Sequence, residues 1–416
     1  MSFSTLPSGV NDAVKPFTLN TPADEIAELK TLIKHSKIAV PTFENSQTDG
    51  KYGVDREWMQ NIKEKWLKFD WSKTEDRLNS FPHFKASITD DDGTKYDIHF
   101  AALFSQKADA VPVIMLHGWP GSFLEFMPIF QLLKDKHTPE TLPYHVIVPS
   151  HPGYTLSSGP PTNKDRSYWD MARILDRLMS MLGFGDGYIA QGGDLGSAVA
   201  RVMGAMYPGC KAVHVNLLIM AKAPPNTVED DLTDSEKQGI ARGMEFLNRG
   251  MAYGLEHATK PSTIGLVLAS NPIALMAWIG EKFLHWSDVN PSDETIIESV
   301  TLYWLTNTIE RCIYPYRHDL PNGVGTLISA VSPNDDAHRF HDTPHDPSQS
   351  QSKPLGFSSF PKELSLIPRS WAESQGNLVW YRKHDKGGHF AALEQPDLLW
   401  GDVVDFVGQV WGKGNE

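Results

Sequence analysis

The chain has 416 residues, 40% hydrophobic and 21% charged, with 38 basic and 51 acidic side chains and a net charge of −13. This is globular composition with enough apolar content for a large core, in more than one domain or in one domain carrying insertions. The acidic excess, with no dense Lys/Arg cluster to reverse it locally, excludes nucleic acid and anionic membrane surfaces as partners.

Cys210 and Cys312 lie far apart, show no metal-type spacing, and read as free thiols of a reducing compartment. Met1 to Pro16 has no basic start followed by an apolar run, so no signal peptide is expected. The most apolar long stretch, Ile264 to Ile279, contains Asn271 and Pro272 and falls short of the ~20 residues of a membrane span. A soluble cytoplasmic protein is the resulting expectation.

Residues 1–95 read as a mostly helical arm. Ile26, Leu29, Leu32 and Ile33 recur on one stripe of the segment Ala23 to Ile33, the spacing of an amphipathic helix. Asp55 is placed to cap a second helix through Trp58, Ile62 and Trp66. These two tryptophans and Trp71 are expected to pack in the core. From 96 to 220 the period changes. Tyr96 to Leu103 alternates like a half-buried strand, and short apolar runs follow at Val111–Leu116, His145–Pro149, Tyr188–Ala190 and Ala212–Leu217. Continuous runs of this kind suit strands buried on both faces. Amphipathic stretches lie between them at Phe123–Leu133, Trp169–Leu182 and Ser197–Met206. Strands alternating with helices predict an α/β fold with a mostly parallel sheet covered on both faces. Residues 221–325 carry helical pattern without a convincing strand, which predicts a helical cap over the strand ends, where ligands bind in such sheets. Residues 326–416 read as a long loop, Ser332 to Ser359, then one strand, Leu378–Tyr381, and a closing helix, Asp397–Val410. His338, His341 and His345 in that loop are irregularly spaced, so no metal site is expected there.

Gly192-Gly193-Asp194-Leu195-Gly196 lies between a predicted strand and a predicted helix. That is the setting of a nucleophile elbow, where small residues two positions to either side of the centre permit a strained turn. Asp194 reads either as a nucleophile or as a plain N-cap, and the helix N-terminus favours negative charge there. As a nucleophile, its type restricts the chemistry. A serine attacking a saturated carbon would leave an ether that water does not release. A carboxylate leaves an ester, whose carbonyl water can attack. A carboxylate nucleophile therefore implies displacement at sp³ carbon, in an epoxide or an alkyl halide.

Leu116-His117-Gly118-Trp119-Pro120-Gly121 follows a strand near the start of the sheet. The backbone N–H groups of Trp119 and Leu195 are the candidate oxyanion hole. Gly387-Gly388-His389-Phe390 follows the last predicted strand, and His389 stands downstream of the nucleophile, as this fold requires of its base. The acid orienting His389 is expected in Glu363, in the loop before the final strand, with Asp385 as a competitor nearer in sequence. No Gly-x-Ser-x-Gly elbow follows a comparable strand, which disfavours a serine esterase.

With these motifs the chain resembles the soluble fungal relatives of microsomal epoxide hydrolase over nearly its full length. The likeness is carried by His117-Gly118-Trp119-Pro120, Gly193-Asp194-Leu195-Gly196, Gly387-Gly388-His389-Phe390 and Pro361-Lys362-Glu363. The resemblance implies an α/β-hydrolase fold with a helical cap domain and an N-terminal helical arm that wraps the core. It implies no cofactor, metal or membrane anchor, an epoxide and water as reaction partners, and a homodimer as the assembly. It further implies two cap tyrosines that donate hydrogen bonds to the epoxide oxygen, a poor leaving group on which charge develops. Tyr253 fits the first. Tyr316, next to Arg317, fits the second, with Tyr314 as the neighbouring alternative. A haloalkane dehalogenase would share the Asp and the His but places Trp directly after the nucleophile, where this chain has Leu195.

Overall fold

The computed structural model describes residues 2–10, 12–220, 223–224, 232–319 and 353–412. Strand β4 (Val111–Leu116) explains its own unbroken apolar run. Val113 and Met115 enter one core cluster, and Ile114 and Leu116 enter the other. Both faces of the strand are therefore covered. In β5 (Tyr144–Pro149), Val146 and Val148 point to one cluster and Ile147 to the opposite one. One covering layer includes α4 (Met127–Lys136) and the closing helix Pro396–Val410; the other includes α5 (Tyr168–Met181) and α6 (Leu195–Met206).

The sheet has nine strands in the order β1-β2-β3-β5-β4-β6-β7-β8-β9. From β5 through β6 (Tyr188–Gly192), β7 (Cys210–Val215), β8 (Pro354–Ser359) and β9 (Asn377–Lys383) all pairings are parallel. At the other edge β1 (Val14–Phe17), β2 (His83–Thr89) and β3 (Lys95–Leu103) pair antiparallel, and β3 joins β5 in the same sense. With its helical covering and mostly parallel sheet, this is the α/β-hydrolase fold the sequence implies.

Two expectations are corrected. The first 95 residues are not a helical arm alone, because β1 and β2 lie in them and extend the central sheet. The span from Ser332 to Ser359 does not end as a loop, because Pro354–Ser359 is β8, wedged between β7 and β9. The preceding part of that span, with His338, His341 and His345, lies outside the described residues.

The arm helices are α1 (Ala23–His35), α2 (Arg56–Lys68) and α3 (Trp71–Asn79). Asp55 caps α2 as expected, accepting from the Trp58 N–H at 2.8 Å. The cap is built from α7 (Asp234–Glu245), α8 (Ala252–Thr259), α9 (Pro261–Ala269), α10 (Pro272–Trp286), α11 (Asp293–Leu305), α12 (Ile309–Cys312) and α13 (Tyr316–Asp319). The arm rests on this cap, α1 against α10 and α2 against α11. Trp66 is buried and its Nε1–H donates to Thr301 Oγ1 at 2.8 Å, so an arm tryptophan serves packing. Trp71 is likewise buried, and Trp58 packs against the core in a partly buried position.

Among the described residues no single helix is long and apolar enough to cross a membrane. The apolar pair α9 and α10 is bent by 115°. Cys210 and Cys312 are both buried and free.

Candidate active site

Asp194 sits between β6 and α6 with φ 48° and ψ −130°, a left-handed conformation that costs a non-glycine residue energy. Its neighbours must be glycines for a steric reason. A Cβ on Gly196 would lie 2.2 Å from the Leu116 carbonyl oxygen, and one on Gly192 would lie 2.1 Å from the Gly196 carbonyl oxygen. The Asp194 side chain makes no capping bond to its helix, so the plain N-cap reading does not describe it. The carboxylate faces the loop after β4 instead. There the Trp119 N–H donates to Asp194 Oδ1 at 2.8 Å, and a Cβ on Gly118 would lie 2.1 Å from that oxygen. Leu195, the other residue expected at the oxyanion hole, is the first residue of α6 and directly follows the carboxylate.

The other oxygen of Asp194 faces His389, with Oδ2 3.3 Å from Nε2. On the far side of the ring His389 Nδ1–H donates to Glu363 Oε1 at 2.5 Å, and Leu364 N–H donates to the same oxygen at 2.6 Å. Asp385 is exposed on the surface, so the two competing acids separate by burial: Glu363 is 1% exposed. The His389 backbone is pinned by its N–H donating to the Trp286 carbonyl at 3.0 Å, and the Trp286 ring meets the imidazole edge-on at 5.0 Å. Burial opposes charge on His389. The Glu363 and Asp194 carboxylates outweigh it and hold the imidazole well above its usual 6.5.

Tyr253 on α8 and Tyr316 at the start of α13 are both buried and pack edge-on, with ring centroids 5.9 Å apart. Trp119 stacks on Tyr253, with ring centroids 4.9 Å apart, and meets Tyr316 edge-on at 6.3 Å. Burial, and then the negative field of Asp194, push the Tyr253 hydroxyl above its ordinary value; burial, Tyr253 and Asp194 do the same to Tyr316. Tyr314 is turned to another task, donating to the Pro152 carbonyl oxygen at 3.2 Å.

Two polar residues of this region are absent from the sequence reading. Glu125 lines the cavity shared by Gly118, Asp194 and His389. Burial pushes its carboxyl up to about 8; His389 opposes the shift, while the Asp194 and Glu363 charges add to it. Lys282 lies under Tyr253 on α10. The available signal for Lys282 was the adjacent pair Glu281-Lys282 in a mostly apolar helix, which does not say that the lysine faces inward. Glu125 had none, since its segment, Phe123–Phe126, reads simply as the start of an amphipathic helix. Among the described residues no group of three or more His, Cys, Asp or Glu is arranged to hold a metal.

The family models agree with this layout: residues 14–126 match the epoxide hydrolase N terminus and residues 111–275 the α/β-hydrolase fold. A Dothistroma septosporum protein named "Putative epoxide hydrolase" is 42% identical over 99% of this chain and 94% of its own length. The chain belongs to the epoxide hydrolase family. Within that family the rabbit (Oryctolagus cuniculus) protein named epoxide hydrolase 1 is 31% identical over 97% of this chain and 91% of its own. The solved structure of Aspergillus niger epoxide hydrolase superposes with a TM-score of 0.90 at 50% identity, covering 99% of this chain and 100% of that one.

Proposed function

We propose that the enzyme converts epoxides to vicinal diols in two steps through an ester on Asp194. One observation carries the reading: a buried Glu363–His389 pair ends on a strained carboxylate that makes no helix cap, and two buried phenols pack against Trp119, whose N–H meets that carboxylate.

In the first step an Asp194 oxygen attacks an epoxide carbon. The carbon–oxygen bond of the ring breaks and its electron pair stays on the oxygen. Tyr253 and Tyr316 donate to that oxygen, and one phenol yields its proton. The new ester has no charge, so one of the two anions that hold the imidazolium is gone. His389 then gives its own proton to the tyrosinate and becomes a neutral base. In the second step His389 takes a proton from water as the hydroxyl adds to the ester carbonyl. The Trp119 N–H, already aimed at an Asp194 oxygen, stabilises the oxyanion, joined by that of Leu195. Collapse expels the diol oxygen, which takes the proton from His389. The Asp194 acid re-protonates His389, and the free enzyme is restored.

A single turnover in oxygen-18 water tests the ester. The first diol should carry unlabelled oxygen from Asp194, with the label retained in the protein. Labelled diol in that first turnover would mean direct attack by water. A dehalogenase working through the same carboxylate would instead release halide from a bromoalkane, and Leu195 directly after the nucleophile weighs against it.

A further inference from the structure

Lys282 is an ammonium where the fold has little use for one. It is 4% exposed, in the last two turns of α10, among aromatic rings. Its Nζ lies 4.7 Å from the ring centroid of Tyr253 and 5.7 Å from those of Trp278 and Trp286. Its carboxylate partner is the adjacent Glu281, whose side chain is 32% exposed, so the charge is balanced from the solvent side and not from the site. The nearby His257 accepts from Trp278 Nε1–H at 3.0 Å; burial first and Lys282 second push it down to about 3, so it stays neutral. An interior lysine pays a desolvation penalty that an isosteric Met would not, and its placement calls for a reason.

The rings supply one. Tyr253 stacks on Trp119, the residue whose N–H meets the nucleophile, and also carries the Lys282 ammonium over its ring. A cation over an aromatic ring is attracted to its negative face. The attraction grows as the phenol loses its proton and the ring becomes richer in charge. Tyr253 is held among apolar groups that disfavour its anion; the ammonium offsets that penalty while proton transfer is under way. We propose that Lys282 is a positioning residue for ring opening, acting through Tyr253 to make its hydroxyl a stronger donor to the leaving oxygen. The proposal rests on the ester mechanism above.

The half-reactions separate it from a packing role. With enzyme in excess over epoxide, acid quenching and intact-protein mass measurement follow formation and decay of the alkyl-enzyme. Lys282→Met should slow its formation by about 30-fold, the rate equivalent of a desolvated cation–π contact. Its decay should change by less than about threefold, since Tyr253 has no part in the attack of water. Lys282→Arg should recover most of the formation rate. The loss should shrink for a trifluoromethyl-substituted oxirane, whose oxygen leaves more readily. In a Tyr253→Phe background Lys282→Met should add little, because the group it acts through is gone. If Lys282→Met does not fold, Lys282→Gln is read in its place, and Lys282→Arg against wild type tests whether the cation matters at all. Equal slowing of both half-reactions, or additivity with Tyr253→Phe, overturns the role of Lys282. Absence of any alkyl-enzyme in the wild type overturns the ester mechanism itself, so the two failures are distinct.

Discussion

His389 stands between two carboxylates, and its protonation depends on both. Replacing Asp194 by Asn removes one anion 3.3 Å from Nε2. The variant should lose turnover while keeping its fold, and its His389 pKa should fall relative to wild type when titrated by nitrogen-15 NMR. An unchanged pKa would mean that Glu363 alone holds the proton. Gly196 offers a steric test. Alanine there meets two backbone carbonyls, at 2.2 Å from Leu116 O and 2.6 Å from His117 O, and neither can turn aside. Gly196→Ala should cost about 3 kcal/mol in urea denaturation, the upper range for forced overpacking, and should abolish activity with it. Glu125 reports through pH. Its folded value of about 8 lies above the ordinary 4.5. The stability this provides is full below the unfolded value and is lost as pH rises through the folded one. Glu125→Gln should therefore gain stability over wild type between about pH 5 and about pH 9, with no gain at more acid pH. Equal curves would remove the case for a raised carboxyl. At this scale the sequence carried far. Asp194, His389 and Glu363 were each marked by a local pattern of glycines or by place relative to a strand. Lys282 was not, because its partners Tyr253 and Trp286 come from a separate helix and from the next turn.

Elements show where sequence pattern stops. β4 matches its predicted span residue for residue, since an apolar run covered on both faces needs no partner to be recognised. β8 reads Pro-Leu-Gly-Phe-Ser-Ser and looks like a loop. It becomes a strand because β7 and β9 offer parallel edges on either side. Its Gly356 is needed there, since a Cβ would lie 2.8 Å from the Phe406 ring and 2.9 Å from the His214 ring. β1 holds Pro16 and pairs on one side only, the edge position that tolerates proline. Among the helices, α10 carries both Lys282 and the Trp286 carbonyl that pins His389, so its N-terminus matters to the site. Asn271 Oδ1 accepts there from the N–H groups of Ile273 at 2.8 Å and Ala274 at 3.2 Å, and from the arm's Ser36 Oγ at 3.2 Å. Asn271→Ala should cost about 1 kcal/mol and speed hydrogen exchange at the first turn of α10. Unchanged exchange would show that packing alone holds that end.

Across the whole molecule, a buried polar cluster ties the last strands to the closing helix. Asp402, fully buried, accepts from Ser358 Oγ at 2.5 Å, His384 Nε2–H at 2.6 Å and Arg382 Nη1–H at 2.8 Å. Burial raises its pKa, but the hydrogen bonds from His384 and Ser358 prevail and leave it below the ordinary 3.8. A depressed carboxyl stabilises the fold above its unfolded value, and that stability is lost as pH falls through the folded one. Asp402→Asn should cost about 3 kcal/mol at neutral pH, the low end for a broken buried pair because Arg382 is 42% exposed. The difference from wild type should narrow below about pH 4; a constant difference would mean the cluster acts by packing alone. Local pattern alone was enough for the alternation of strands and helices, the helical cap and the strand–turn–helix elbow around Asp194, and it led to the expectation of saturated carbon as the target of a carboxylate there. Each of these follows from local periodicity, from glycines flanking one residue, or from the chemistry of one side chain. The tertiary structure decided that Pro354–Ser359 is a strand and that the arm lends two strands to the sheet. It also brought Glu363 against His389 and left Asp385 on the surface, turned Tyr314 to a backbone carbonyl and set Lys282 over Tyr253. These depend on which segments meet after folding, and residues far apart in the chain carry no sign of that in their local spacing.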